Sequence, residues 1–152
     1  MQVYKENVVD LATKCATEAA KVGVKKWVEL STGQVYDSGS KPSDEASKLK
    51  PWTKLAEAKL AAEGEVQKLL GDKCVVLRLA VVYGPGDTTG IMPRLVCGAT
   101  YTQNNEKMTF LWSKDLKLHT IHIDDVVGAI EHIAKVNMNV FFCMCACLFR
   151  SC

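Results

Sequence analysis

No stretch of the chain approaches the ~18 consecutive apolar residues that a membrane-spanning helix requires. The opening MQVYKENVVD carries charges where a secretion signal would need its apolar centre, so the chain reads as cytoplasmic, with no membrane partner. An excess of one charge sign is missing too. The 19 basic and 17 acidic residues leave a formal net charge of +2, which gives no field for nucleic acid or an acidic membrane surface. There is no internal repeat, and no evenly spaced cysteine framework of the kind that staples small secreted domains. Of the seven cysteines, Cys15, Cys74 and Cys97 stand singly in apolar surroundings, the setting of buried free thiols. Cys143, Cys145, Cys147 and Cys152 crowd into the last ten residues. Their spacing is not the C-x2-C of structural zinc sites. They read as an atypical apolar tail, residues 136–152, set apart from a domain at 1–135, and no metal site is expected.

What remains is an ordinary globular composition, 48% hydrophobic and 24% charged over 152 residues. That length suits one domain burying roughly 68–70% of its unfolded surface. In NVVDLATKCATEAAKV the residues Val8, Leu11, Cys15, Ala19 and Val22 recur at helical spacing, and Gly23 is a natural stop. KKWVEL, 25–30, reads as a strand that runs into the polar stretch STGQVYDSGSKPSDEASKLKP, a loop long enough to be functional or disordered. A helix over 53–70 follows, with Leu55, Ala58, Ala62, Val66 and Leu69 in register. CVVLRLAVVYG, 74–84, is almost continuously apolar, as in a strand buried on both faces. After the turn GPGD come a helix near 90–98, a strand 118–123 and a helix 124–135 with Asp124 as its N-cap. This alternation predicts an α/β fold, a parallel sheet flanked by helices. His119 and His122 fall on opposite faces of their strand and make no metal pair. Arg78, inside an apolar strand, reads as half of an ion pair.

In an open parallel sheet, ligands gather beyond the carboxyl ends of the strands. GVKKWVELSTGQVY, a helix with KLAAE, VVLRLAVVYGPGD and HIDDVVGAI follow one another in that setting. Together they resemble the C-terminal part of the extended short-chain dehydrogenase/reductases, the NAD-dependent epimerases and dehydratases, over about residues 3–135. The resemblance implies a partial Rossmann-like sheet, NAD or NADP as cofactor, and a small or sugar-like substrate. It places Thr32 at the hydroxyl position that holds the substrate oxygen and Lys59 at the catalytic lysine that also holds the cofactor ribose. Gln34 and Tyr83 are implied as substrate contacts, and Tyr36 as a packing residue.

That family moves its proton with a tyrosine four residues before the lysine. The spacing puts both on one helix face, where the ammonium favours the phenolate. Here the tyrosine position is Leu55, which cannot titrate, and the indole of nearby Trp52 is a donor only. The polar group that many sugar-modifying members carry three places after Arg78 is Val81, and the arginine six places before the paired aspartates is Leu118. Both exchanges count against a nucleotide-sugar substrate. The glycine-rich turn that would cradle the cofactor pyrophosphate has no counterpart, because GPGDTTG, 84–90, spaces its glycines differently. By the resemblance the chain begins near the fourth helix of the fold. Two readings follow: an NAD(P)-dependent epimerase/dehydratase-like protein, or a catalytically inactive truncated fragment or association module of the same fold, with self-association through an exposed sheet edge. Lys59 is then either a ribose-binding lysine or one lying along an amphipathic helix. Thr32 either meets substrate or bonds its own backbone.

Overall fold

A computed structural model of the chain describes residues 2–37, 43–109, 118–136 and 142–144. The N-terminal segment is helical throughout: α1 (Gln2–Tyr4), a π-helical stretch (Lys5–Asp10) and α2 (Leu11–Lys21). Gly23 ends it with φ of +71°, and the Val24 N–H reaches back to the Ala19 carbonyl at 3.1 Å. That return in a left-handed glycine closes a helix and aims the chain away from its axis. β1 (Trp27–Thr32), α3 (Lys54–Leu70), β2 (Cys74–Leu79), β3 (Val81–Tyr83), α4 (Met92–Gln103), β4 (Thr120–His122), α5 (Ile123–Lys135) and β5 (Phe142–Met144) follow. All the ladders are parallel, in sheets of order β1-β2-β5 and β3-β4. The α/β fold expected from the alternation is what forms.

β2 is buried along its whole length, and its period of two divides the core. Cys74 and Val76 pack with Ala16 of α2 and with Val66 and Leu70 of α3. Val75, Leu77 and Leu79 pack against Ile121, Val126 and Ile133 of β4 and α5. Arg78 falls on the face toward α3, where its Nη2 meets Glu63 Oε2 at 2.7 Å. Its Nη1 donates to the Tyr36 hydroxyl at 2.8 Å, and Ser31 donates its hydroxyl to the same carboxylate. Glu63 and Arg78 are 4% and 6% exposed. Burial alone would lower the pKa of Arg78, but its bonds to Glu63 and Tyr36 and the Glu63 charge outweigh that and raise it. The ion pair expected for Arg78 is there, and Tyr36 both packs and accepts a hydrogen bond.

Several local expectations shift. The buried stripe of α3 is Ala56, Ala62, Glu63, Val66 and Leu70, rotated by one position from the apolar pattern. Facing Glu63 toward Arg78 sets this rotation and leaves Leu55 and Leu69 exposed. On α2 the small Ala16 and Ala19 are buried, whereas Leu11, Cys15 and Val22 face solvent. Alanines allow the two helices a close approach that larger side chains on the seam would prevent. Cys97 is exposed as well, so of the three cysteines read as buried only Cys74 is. The run 74–84 is two strands, because β1 ends opposite Leu79 and the chain pairs next with β4. The residue that caps α5 is His122, which is still extended, and Asp124 already lies inside the helix. Part of the segment 136–152 joins the sheet as β5, alongside Leu77–Leu79. Cys145, Cys147 and Cys152 lie outside the described residues.

Glu63→Leu alone leaves a buried guanidinium without its carboxylate and is expected to cost ~3–5 kcal/mol, read as a lower urea midpoint. Adding Arg78→Met should restore most of that loss. Burial, then the charges of Glu29 and Glu63, push the Cys74 thiol from 9.0 up to about 11. The unfolded thiol ionises first, so this contribution is complete below pH 9 and is lost as pH rises to about 11. Urea melts on either side of that window should show a smaller loss for Cys74→Val than for the parent chain.

Candidate functional site

The carboxyl end of β1 gathers three of the four residues singled out from sequence. The Thr32 hydroxyl oxygen accepts the Gln34 N–H at 3.3 Å, starting the short 3-10 turn Gly33–Val35. Gln34 Oε1 accepts the Thr53 hydroxyl at 2.9 Å, and Thr53 Oγ1 accepts the Ala56 N–H at 3.1 Å. That chain of bonds ties the loop after β1 to the N-cap of α3. One turn into α3, Lys59 Nζ donates to the Leu30 carbonyl at 2.7 Å. Glu63, a further turn along, holds Ser31. Successive turns of α3 thus grip neighbouring residues of β1, and Lys59 is held at Leu30, two residues before Thr32 on the strand. Leu55, the residue one turn before Lys59, is 41% exposed and brings no titratable group.

Tyr83 belongs to a second group, at the ends of β3 and β4. Its ring meets His122 edge-on, with centroids 5.2 Å apart and planes at 76°. Both line an open cleft of about 380 Å³ with Gly84, Asp87, Met92 and Val96. Gly84 has φ of +140°, and a Cβ there would lie 2.7 Å from the Ile123 side chain and 3.0 Å from His122 Nε2. Only glycine fits. His122 Nδ1 accepts the Asp124 N–H at 3.3 Å, and Asp124 Oδ2 lies 3.4 Å from the same nitrogen.

Asp87 organises the turn that follows. Its carboxylate accepts N–H groups from Gly90 at 2.6 Å, Met92 at 3.0 Å and Thr89 at 3.3 Å. The bonds from Met92 and Gly90 hold its pKa below the usual 3.8. The amides at the start of α4 therefore already face an anion, and 84–90 does not serve as a pyrophosphate cradle. For a nicotinamide cofactor the fit is one-sided: Lys59 and Thr32 suit a ribose, and no described turn suits the phosphates. Among the described residues, no group of three or more His, Cys, Asp or Glu side chains could hold a metal ion. No described helix is long and apolar enough to cross a membrane.

Sequence reasoning missed Glu63, Asp87 and His122. Glu63 had a legible signal, an acid inside the helical stripe of Ala62 and Val66. Asp87 had one too, an aspartate shortly ahead of a helix start. Because its folded pKa is depressed, the order Asp87 imposes is present above pH 3.8 and is lost as pH falls through the lowered value. Amide protection factors at Gly90 and Met92, each taken against the intrinsic exchange rate at the same pH, should fall on the order of tenfold in Asp87→Ala at neutral pH, and in the parent chain once Asp87 is protonated.

The sequence matches the model of the NAD dependent epimerase/dehydratase family over residues 2–140. Among solved structures, a UDP-N-acetylglucosamine 4-epimerase from Methanobrevibacter ruminantium aligns with a TM-score of 0.80 at 18% identity, covering 95% of this chain and 48% of its own. A dTDP-4-dehydrorhamnose reductase from Clostridium acetobutylicum gives 0.73 at 21%, covering 88% and 45%. The Bordetella bronchiseptica enzyme WbmG, solved in complex with NAD, gives 0.72 at 22%, covering 88% and 42%. At such identities the likeness is one of fold. The chain spans less than half the length of each of these proteins. Among curated proteins none matches it in sequence. With its parallel sheet, its β1–α3–β2 unit and the family match across most of its length, the chain belongs to the NAD-dependent epimerase/dehydratase family.

Proposed function

We propose that this chain carries the lysine side of an NAD- or NADP-dependent oxidoreductase site of the epimerase/dehydratase type, acting on a small or sugar-like substrate. The observation that supports it best is the placement of Lys59. Its ammonium sits on the carboxyl half of a parallel strand, 2.7 Å from the Leu30 carbonyl and two residues along the strand from Thr32. An ammonium has three N–H donors. One is spent on Leu30, and two remain for the hydroxyls of a cofactor ribose. The Thr32 oxygen accepts from Gln34, which leaves its own O–H to donate to a substrate oxygen. When bound, the nicotinamide would accept or return hydride. The bond to Leu30 keeps Lys59 from swinging away, so little side-chain freedom remains to be lost on binding.

A second reading is favoured by Leu55. With leucine where a phenol would exchange the proton, the chain would be a non-catalytic association module. β1 pairs only with β2 among the described residues, and Leu30 on that strand is exposed. Such an edge can pair with a second copy.

The two readings separate in a thermal-shift and calorimetric titration with NAD⁺ and NADP⁺. The oxidoreductase reading expects a saturable rise in Tm for one of them, growing with ligand concentration as linkage requires. Lys59→Met keeps the aliphatic stem and removes the donors. It should weaken binding by about 10- to 100-fold, the equivalent of one charged hydrogen bond. Leu55→Tyr should leave affinity in place and supply the missing phenol. A folded chain with no response at millimolar cofactor, whose mass in sedimentation grows with concentration and falls in Leu30→Lys, would point to the association module instead.

A further inference from the structure

We propose that the cleft between Tyr83, His122 and the start of α4 binds an uncharged, ring-bearing carbonyl compound or its alcohol, and refuses phosphate-bearing ones. This names a substrate class for the oxidoreductase reading and rests on it for the word substrate. The binding itself is testable without it.

Size sets the first limit. A cleft of about 380 Å³ lies at the small end of ligand sites, with room for a molecule of one or two rings. Its walls set the second. Pro85, Met92, Pro93 and Val96 supply apolar surface, and the Tyr83 ring, held edge-on to His122, offers an aromatic contact. The Met92 thioether suits a ring edge.

Charge sets the third limit. Among the described lining residues there is no lysine or arginine, and the one ionic group is the Asp87 carboxylate. Helix N-termini ordinarily attract phosphate. Here the amides of Gly90 and Met92 already point at Asp87, so an incoming phosphate would meet a like charge. Arg94 is exposed, and its guanidinium turns back to the Gly90 carbonyl. The apolar Val81 and the exposed Leu118 add no cation.

Among the described lining residues, the His122 imidazole and the Tyr83 phenol are side-chain donors for a ligand oxygen. With Nδ1 accepting from Asp124, neutral His122 must carry its proton on Nε2. If the ring is protonated, Nε2 is still a donor and Nδ1 turns to the Asp124 carboxylate. Nε2 therefore donates in both states. Any side chain at position 84 would cover it, since a Cβ there would stand 3.0 Å away. Glycine leaves it open to a carbonyl or hydroxyl oxygen.

The test uses the full chain with ¹³C-labelled methionine methyls. Met92 is the cleft reporter, and Met108, which is not among the lining residues, is the control. Acetophenone, toluene, UDP and inorganic pyrophosphate are the probes. Acetophenone is expected to move the Met92 methyl saturably, and Val96→Trp, which fills the open side, should abolish the shift. His122→Asn keeps a good helix cap and removes the Nε2 donor. It should weaken acetophenone several-fold and leave toluene unchanged. A Met92 shift at lower concentration with UDP or pyrophosphate than with acetophenone would overturn the proposal, as would an unmoved Met92 in acetophenone. Equal losses for acetophenone and toluene in His122→Asn would remove His122 as the donor. If acetophenone binds as expected and neither dinucleotide does in the separate titration, the oxidoreductase reading alone fails.

Discussion

The contact between Glu63 and Arg78 is the constraint around which this chain is arranged. Two opposite charges taken out of water are costly unless geometry and further hydrogen bonds satisfy them, and here Ser31 and Tyr36 complete the set. The four residues come from β1, the loop after it, α3 and β2, so satisfying one charge fixes the relative placement of all four segments. The rotation of α3 follows, with Leu55 and Leu69 turned outward and Lys59 set over the end of β1. A core of apolar side chains alone would tolerate small rotations of that helix. An acid that must meet a buried guanidinium does not. The pair contributes more to specifying one arrangement than to net stability.

Much of this was legible in the primary structure. The order of helices and strands, the stop at Gly23, the buried character of β2 and the need of Arg78 for a partner all follow from periodicity and residue type. What was not legible depends on contacts between distant segments. The apolar stripe of α3 reads naturally through Leu55 and Leu69, and it is the charge on β2 that moves it by one place. The outer side of α2 carries Leu11 and Val22 because a seam of alanines packs more closely. His122 displaces Asp124 as a cap for a local reason, since the capping residue must still be extended. A propensity ranking favours the aspartate and misses that. Of the site, Thr32 and Gln34 share the turn after β1, and Lys59 reaches the same strand at Leu30. Tyr83 is part of a separate cleft whose other polar members, His122 and Asp87, had been read as structure or passed over.

The two groups of side chains differ in chemistry. At the end of β1 the polar atoms are numerous and mostly committed to holding the backbone, with donors left on Lys59 and Thr32. Among the described lining residues of the cleft the surface is largely apolar, the one carboxylate is taken up by amides, and His122 brings an imidazole.

The Lys26 ammonium carries a consequence for how the chain is made. It donates to the carbonyls of Ile133 and Val136, at the far end of α5 and just beyond it, where a cation also complements the helix dipole. Among the described residues, one face of β2 is likewise covered largely by side chains from Ile121 to Ile133. During synthesis β1, α3 and β2 can assemble their α3 side early, while the opposite face of β2 waits for Ile121, Val126 and Ile133 to be made, roughly fifty residues later. At roughly 5–20 residues per second that interval lasts on the order of seconds. For that time the nascent chain presents a half-finished sheet, which is the state in which a chaperone would meet it.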